Sequence, residues 1–248
     1  MFPRKSLHDL QCVHDITERG WFYDEETFHA KNARRLVSGL LFFNSIHPVI
    51  MKFDAAKIAA HQLDLTTRWH HATPAATGDD FSRLVEENHL RNFSLWHEED
   101  VARRDDLGFE AIYKAKRNID RFNQERNNFA EEMDKAIVAA LAPAESGCPR
   151  NSETPGMMID RLSILALKEF HMHEETVRTD VSSAHLEKCA EKLARIRRQR
   201  ADLTTCLAEL LDDVVARRRT FSVYYQFKMY NDPALNPQLY RNTSQPSA

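Results

Sequence analysis

The chain reads as an all-α protein, an elongated antiparallel helical bundle with two long helices and a C-terminal strap. Glycine and proline are sparse, at 6 and 9 of 248 residues, and neither interrupts residues 109–142 or 157–232. Apolar residues recur every three or four positions through both stretches, which is helical periodicity. A β-rich chain of this length would need turn residues far more often.

Residues 1–50 are mixed in character and carry no pattern that continues downstream. They read as a weakly structured N-terminal extension, with Met51 as the natural start. Residues 51–240 read as the bundle domain and 241–248 as a disordered tail. A first amphipathic helix is expected over 53–69. The breaker cluster ATPAATGD (72–79) follows, and Asp79 or Asp80 can cap a second helix running to about residue 104. After 105–108 comes a long helix whose stripe is Phe109, Ile112, Ile119, Phe122, Phe129, Met133, Ile137 and Leu141. Thr154-Pro155 reads as an N-cap followed by proline at the first helical position, opening a helix over 155–178. The last long helix places Leu186, Cys189, Leu193, Ile196, Leu203, Leu207, Leu210 and Val214 at heptad spacing, with Arg200 where an apolar residue is expected. Residues 221–229 alternate like a strand, yet no partner strand is evident. A short helix or an extended arm on the bundle is the expectation there.

Composition removes several function classes. The net charge is −3 and the pI is about 6.5, which leaves no basic footprint for nucleic acid. Arg195, Arg197, Arg198 and Arg200 share their helix with Glu187, Glu191, Asp202 and Glu209, the pattern of a solvated face. The four cysteines show no CxxC spacing, and reduced thiols in a cytoplasm are expected. The longest apolar patch, LVSGLLFF (36–43), is far short of the ~20 residues a membrane span needs. P-loop, GxGxxG and GxSxG motifs are all missing, so phosphate recognition would fall to Arg and Lys side chains and to the helix N-terminus at residues 154–156.

The second helix breaks the binary pattern in an informative way. Asn88, Asn92 and Glu99 lie on its inward stripe with Phe81, Leu84 and Leu95, flanked by Trp96, Asp100 and Arg103. Buried polar groups cost a few kcal/mol unless satisfied, so they point to a hydrogen-bond network or to a ligand. Asn123, Arg126 and Asn127 interrupt the next stripe, and Asp160, Arg161, Lys168 and His171 lie on the helix after it. Asp160 can answer Arg126 or Arg103 as a salt bridge, or orient cations around an anionic ligand. His97, Asp100, Asp160 and His171 are the acid/base candidates. Lys228, Asn231 and Asp232 in the C-terminal run can either strap the bundle or complete a pocket. Glu86 and His89 form an ExxH pair, but a di-iron bundle needs a second inward pair. Glu98, Glu99 and Asp100 with Glu131, Glu132 and Asp134 make only a loose magnesium set. No metal is assigned, and no cofactor.

The stretches LWHEEDVARR (95–104), IDRFNQERN (119–127), NSETPGMMIDRLSILALKEFHM (151–172) and QFKMYNDPALNPQLY (226–240) resemble the bacterial family catalogued as domain of unknown function 4254, over about residues 51–240. Members of that family begin near MKFDAAKI, in line with Met51 as the start. The family has no established activity and therefore supplies no catalytic residues. Its members sit beside cell-envelope glycosyltransferase genes, so the resemblance implies sugar or sugar-nucleotide chemistry. The expectation is a cytoplasmic protein that binds a small anionic ligand, a sugar phosphate or nucleotide sugar, between the helices. The competing reading is a non-catalytic interaction protein whose heptad helix pairs with itself or with a partner.

Overall fold

The computed structural model describes residues 53–226, 232 and 234–237. Among these, five α-helices carry the chain: α1 (Ala55–Trp69), α2 (Asp80–Val101), α3 (Gly108–Leu141), α4 (Pro155–Thr176) and α5 (Ser183–Val215). The all-α class holds, and the two long helices are 34 and 33 residues, each about 50 Å by helical rise. Residues 1–50, Lys228 and Asn231 lie outside the described residues.

Local chemistry sets most boundaries. Asp54 caps α1 by accepting from the N–H groups of Ala56 and Lys57, both at 3.0 Å. Thr154 caps α4 through Met157 N–H, with Pro155 at its first position, and Ser182 caps α5 through His185 N–H. α2 is different, because Asp79 occupies the cap position without a side-chain cap bond. Glu86, one and a half turns into the helix, reaches back instead and accepts from Thr77 N–H (2.6 Å) and Gly78 N–H (2.7 Å). α3 ends where Ala142 enters the left-handed region at φ 45° immediately before Pro143, which cannot continue a helix.

α2 and α3 pack as one hairpin and α4 and α5 as another, with α1 laid on α4 and α5. Phe53, Ile58, Phe81, Val85, Met133, Ile137, Ile159, Leu162, Leu207, Leu210 and Val214 fill the main core, drawn from all five helices and the segment before α1. Each fully buried Leu or Ile there contributes about 1.5–3 kcal/mol of transfer free energy. A second cluster of Leu65, Trp69, Phe93 and Leu167 closes another part of the bundle.

Two expectations need correction. Phe109, placed on the core stripe of α3, is 94% exposed, because no helix among the described residues covers that side of the first turns. Of the alternating segment 221–229, Phe221 alone finds a strand partner; residues 222–226 form no regular element and 227–229 lie outside the described residues. Thr220–Phe221 pairs in parallel with Arg150–Asn151, a two-residue bridge that ties the end of α5 to the loop before α4. The heptad stripe of α5 is largely used within the chain, where Cys189, Leu193, Leu203, Leu207, Leu210 and Val214 are buried.

The irregular Arg200 in that stripe has a partner. Glu169 on α4 is 7% exposed and accepts from Arg200 Nε at 2.7 Å and from Arg197 Nε at 3.0 Å. Arg200 also donates to the Ala59 carbonyl of α1 at 3.2 Å, so one guanidinium links three helices. Breaking a buried pair from one side strands the other charge, whereas replacing both members by apolar residues does not. Arg200→Ala is therefore expected to cost about 2 kcal/mol or more in urea unfolding, since among the described residues Arg197 is the only other cation on Glu169. The double replacement Glu169→Leu/Arg200→Leu should cost less than the single one. A double replacement costing more than the single one would remove this account.

Candidate functional site

The polar residues of α2 lie at the centre of a hydrogen-bond chain crossing four helices. From α1, Thr66 donates its hydroxyl proton to the Gln62 carbonyl (2.9 Å) and contacts His89 Nε2 at 3.0 Å. Having spent its one proton, Thr66 must accept from His89, which places the imidazole proton on Nε2. Nδ1 of a neutral ring is then an acceptor and takes the Ser163 hydroxyl of α4 at 2.7 Å. Ser163 in turn accepts from Asn92 Nδ2 (3.0 Å), whose other proton goes to Asp160 Oδ1 (2.9 Å). Asn88 Nδ2 splits its two protons between Asp160 Oδ1 (2.9 Å) and the Arg126 carbonyl of α3 (3.0 Å). Arg126 closes the chain, with Nη1 on Asp160 Oδ2 at 2.6 Å and Nε on Asn123 Oδ1 at 3.1 Å. Each of these protons has an acceptor, and Asn92 Nδ2 also lies 3.5 Å from Asn88 Oδ1.

This accounting fixes the charge states. His89 is fully buried and stacked on Trp69 at 5.1 Å. Burial, followed by repulsion from His61, holds its pKa down at about 3, so the ring stays neutral as the hydrogen bonds require. Glu86 does not join it as a metal ligand. Its carboxylate is occupied by the two backbone N–H groups and by His61 Nε2 at 2.7 Å, which separates the ExxH pair into two structural roles.

The network surfaces in a cleft of about 400 Å³ between α2, α3 and α4. Asn92, Trp96, Glu99, Asp100, Arg103, Asn123 and Arg126 line it, over an apolar floor of Leu95, Ile164 and Leu167. Seven of the sequence candidates are thus brought to one place. Arg103 pairs with Glu99 at 2.6 Å on the rim and is 69% exposed. Asp160 lies behind the wall with both oxygens engaged, which makes it the residue that orients Arg126.

Beside the cleft, His171 lies flat on Trp96 at 4.5 Å and 8°, with Nδ1 bonded to Glu174 at 2.8 Å. His97 stands near it, between Phe93 and His70. Burial first, then like-charge neighbours, lowers the pKa of His97. Burial also lowers that of His171, against the opposing bond from Glu174. His70, which the sequence reading did not single out, stacks on Phe170 at 4.0 Å. The buried Nε2 atoms of His70 and His171 have no hydrogen-bond partner among the described residues.

Other candidates fall elsewhere. Arg161 and Lys168 do not face this cleft. They line a wider groove of about 660 Å³ between α4 and α5, across the Ile164 ridge, and Arg161 is paired with Glu153 at 2.9 Å. That groove is larger, but its rim carries Glu153, Asp202, Glu209 and Asp213 against Arg161, Lys168 and Arg219, and among the described residues no buried network like that of Asp160 lies behind it. Asn127 is half-buried on α3 and is not part of the cleft wall. Asp232 is exposed and accepts from Ala234 N–H in its own turn. The helix N-terminus at residues 154–156 is not open to an anion, because Gly156 N–H is held by the Asp134 carboxylate at 2.6 Å and Met157 N–H by Thr154. The loose magnesium set dissolves for the same reason, since Asp134 faces α4.

Over residues 82–223 the chain matches the family model described as Protein of unknown function (DUF4254). It belongs to that family. The matched span holds every residue of the cleft and leaves out α1, which supplies Gln62 and Thr66 to the network. No curated protein and no solved structure matches the chain.

Asp134 yields a pH prediction. Burial pushes its carboxyl up from 3.8 to about 6, against the lowering effect of Thr154 and Gly156. A folded pKa above the unfolded one stabilises the fold fully below pH 3.8, and that contribution is lost as pH rises through about 6. The shift corresponds to roughly 3 kcal/mol at about 1.36 kcal/mol per unit. Asp134→Asn keeps an acceptor for Gly156 N–H without the charge. Its stability relative to the wild type should therefore rise between pH 4 and 7, followed by urea unfolding across that range. A pH-independent difference would show that Asp134 is not shifted.

Proposed function

We propose that the cleft between α2, α3 and α4 binds a small ligand combining hydroxyl groups with one anionic group, of the sugar phosphate or nucleotide sugar class. The observation that carries this is the pre-set guanidinium of Arg126. Asp160 and Asn123 hold its Nη1 and Nε, while Nη2 has no protein partner among the described residues, at the wall of the cleft. A fixed guanidinium with free N–H groups suits a phosphate oxygen, and little side-chain entropy remains to be lost on binding.

The remaining lining favours a polyol over a bare anion. Glu99 and Asp100 accept from hydroxyl groups, Asn92 and Asn123 offer amides, and Trp96 and Leu95 provide apolar surface for a sugar's C–H faces. Two carboxylates beside two arginines leave the wall without excess positive charge, so inorganic phosphate alone gains little from it. Asp100 is the acid/base candidate that lines the cleft itself, with His97 and His171 beside it. The family's occurrence near cell-envelope glycosyltransferase genes points to the same ligand class, as an association.

A thermal-shift panel of hexose phosphates, nucleotide sugars, nucleotides and inorganic phosphate tests the reading. A ligand at 100 times its Kd stabilises by about 2.7 kcal/mol, or roughly 5–10 °C for a chain of this size. A sugar phosphate or nucleotide sugar is expected to give that shift and inorganic phosphate to give none. Arg103→Ala, on the exposed rim, and Asn123→Ala, which releases only the Nε end of Arg126 at the edge of the network, should each abolish it while leaving the unliganded Tm within a few degrees. A shift that survives both substitutions, or a panel without any shift, removes the proposal.

A further inference from the structure

We infer that the closed end of the α4–α5 hairpin is a zinc-binding site made by Glu175, His185 and Cys189, separate from the cleft. Glu175 stands on the last turn of α4, and His185 and Cys189 lie four residues apart on the first turns of α5, where i and i+4 side chains share one face. His185 Nε2 is 3.1 Å from Glu175 Oε2 and 3.3 Å from Cys189 Sγ, and one ligand atom from each of the three falls within 4.8 Å of the others. Among the described residues this is the group of three such side chains that converges in this way.

The geometry is that of a metal site more than of a hydrogen-bond chain. A single ring nitrogen carries either one proton or one lone pair, yet Nε2 faces both an oxygen and a sulfur at short range. It can donate to the Glu175 carboxylate or accept from the Cys189 thiol, and one ring nitrogen does not do both. A cation at the common focus satisfies all three. Zinc bonds of about 2.0–2.3 Å at tetrahedral angles put neighbouring ligand atoms roughly 3.4–3.6 Å apart, within a few tenths of an ångström of the two separations from His185 Nε2, and the Glu175 and Cys189 ligand atoms lie within 4.8 Å of each other. Nitrogen, sulfur and oxygen donors together favour zinc over magnesium or calcium, which take oxygen. One carboxylate and one thiolate also balance the charge of a divalent ion.

The surroundings allow the exchange. Arg178 donates to the same Glu175 oxygen at 3.0 Å, but it also holds Asp180 through two further bonds at 3.0 and 2.8 Å. It keeps a bidentate partner when Glu175 turns to a metal. Cys189 is 4% exposed and anchors the site in the core, while the Glu175 and His185 side chains are 38% and 42% exposed. Three protein ligands with a solvent-facing side leave a fourth position for water. Binding releases the thiol proton, so affinity rises with pH.

Cobalt is the probe for the full-length, reduced and metal-stripped protein. Titration with cobalt chloride is expected to give a thiolate-to-cobalt charge-transfer absorption that saturates at one equivalent and is displaced by zinc chloride. The band should be lost in Cys189→Ser and in His185→Ala, and retained in Cys206→Ser, whose thiol is exposed elsewhere on α5. His185→Ala alters a half-exposed side chain, and its circular dichroism should match the wild type, so loss of the band there reports ligation and not unfolding. Absence of the band in the wild type, its persistence in Cys189→Ser or in folded His185→Ala, or its loss in Cys206→Ser would overturn the assignment.

Discussion

The carboxylate of Asp160, largely but not fully buried with its side chain 14% exposed, is the constraint on which the rest of the site depends. An unpaired carboxylate inside a helical bundle would be costly in desolvation. Here two amides and a guanidinium answer it, from α2 and α3. Each answering group then needs its own remaining partners, which spreads the requirement outward. Asn92 draws in Ser163, Ser163 draws in His89, and His89 draws in Thr66. A half-satisfied network would be worse than an apolar core, so the register of four helices is tied to a single pattern of donors and acceptors.

The same network explains why a cleft stands where it does. Apolar packing fills the main core around Ile159 and Leu162 and a second cluster around Trp69 and Phe93. Between them the polar chain runs to the surface, and there Arg126 and Asn123 emerge already oriented. Polar groups that are rigid before a ligand arrives contribute to affinity what flexible ones lose in ordering. The second internal pair, Glu169 with Arg200, does related work away from the cleft by joining α4 and α5 to the Ala59 carbonyl of α1. Buried ionic groups in this chain fix which helices meet, a different contribution from the bulk stability of the hydrophobic core.

Much of the fold was legible because its causes are local. The absence of glycine and proline, the 3-4 apolar spacing and the Thr154-Pro155 start each act within a few residues of chain. Failures of the local pattern were equally telling. Asn88, Asn92 and Arg126 on apolar stripes signalled buried polarity, and the structure joins them. Phe109 misled because periodicity shows which face is apolar and not whether another helix reaches that far. Ser163 and Thr66 escaped notice since a single small hydroxyl on an apolar stripe resembles an ordinary core residue. His185 and Cys189 escaped as well, because their i, i+4 spacing acquires meaning only when Glu175 is brought opposite by the turn.

The sequence by itself determined the helices, their order and the presence of polar residues on inward faces, because helix propensity, capping and amphipathic period depend on neighbours in the chain. Tertiary structure alone decided which polar residue met which. It assigned Asp160 to Arg126 and not to Arg103, and it turned Arg161 and Lys168 away from the cleft, across the Ile164 ridge. It also filled the α4 N-terminus with Asp134, leaving no room there for an external anion. These outcomes rest on the rotation of each helix about its axis, which the close packing of side chains from other helices sets. No stretch of the chain contains that information alone.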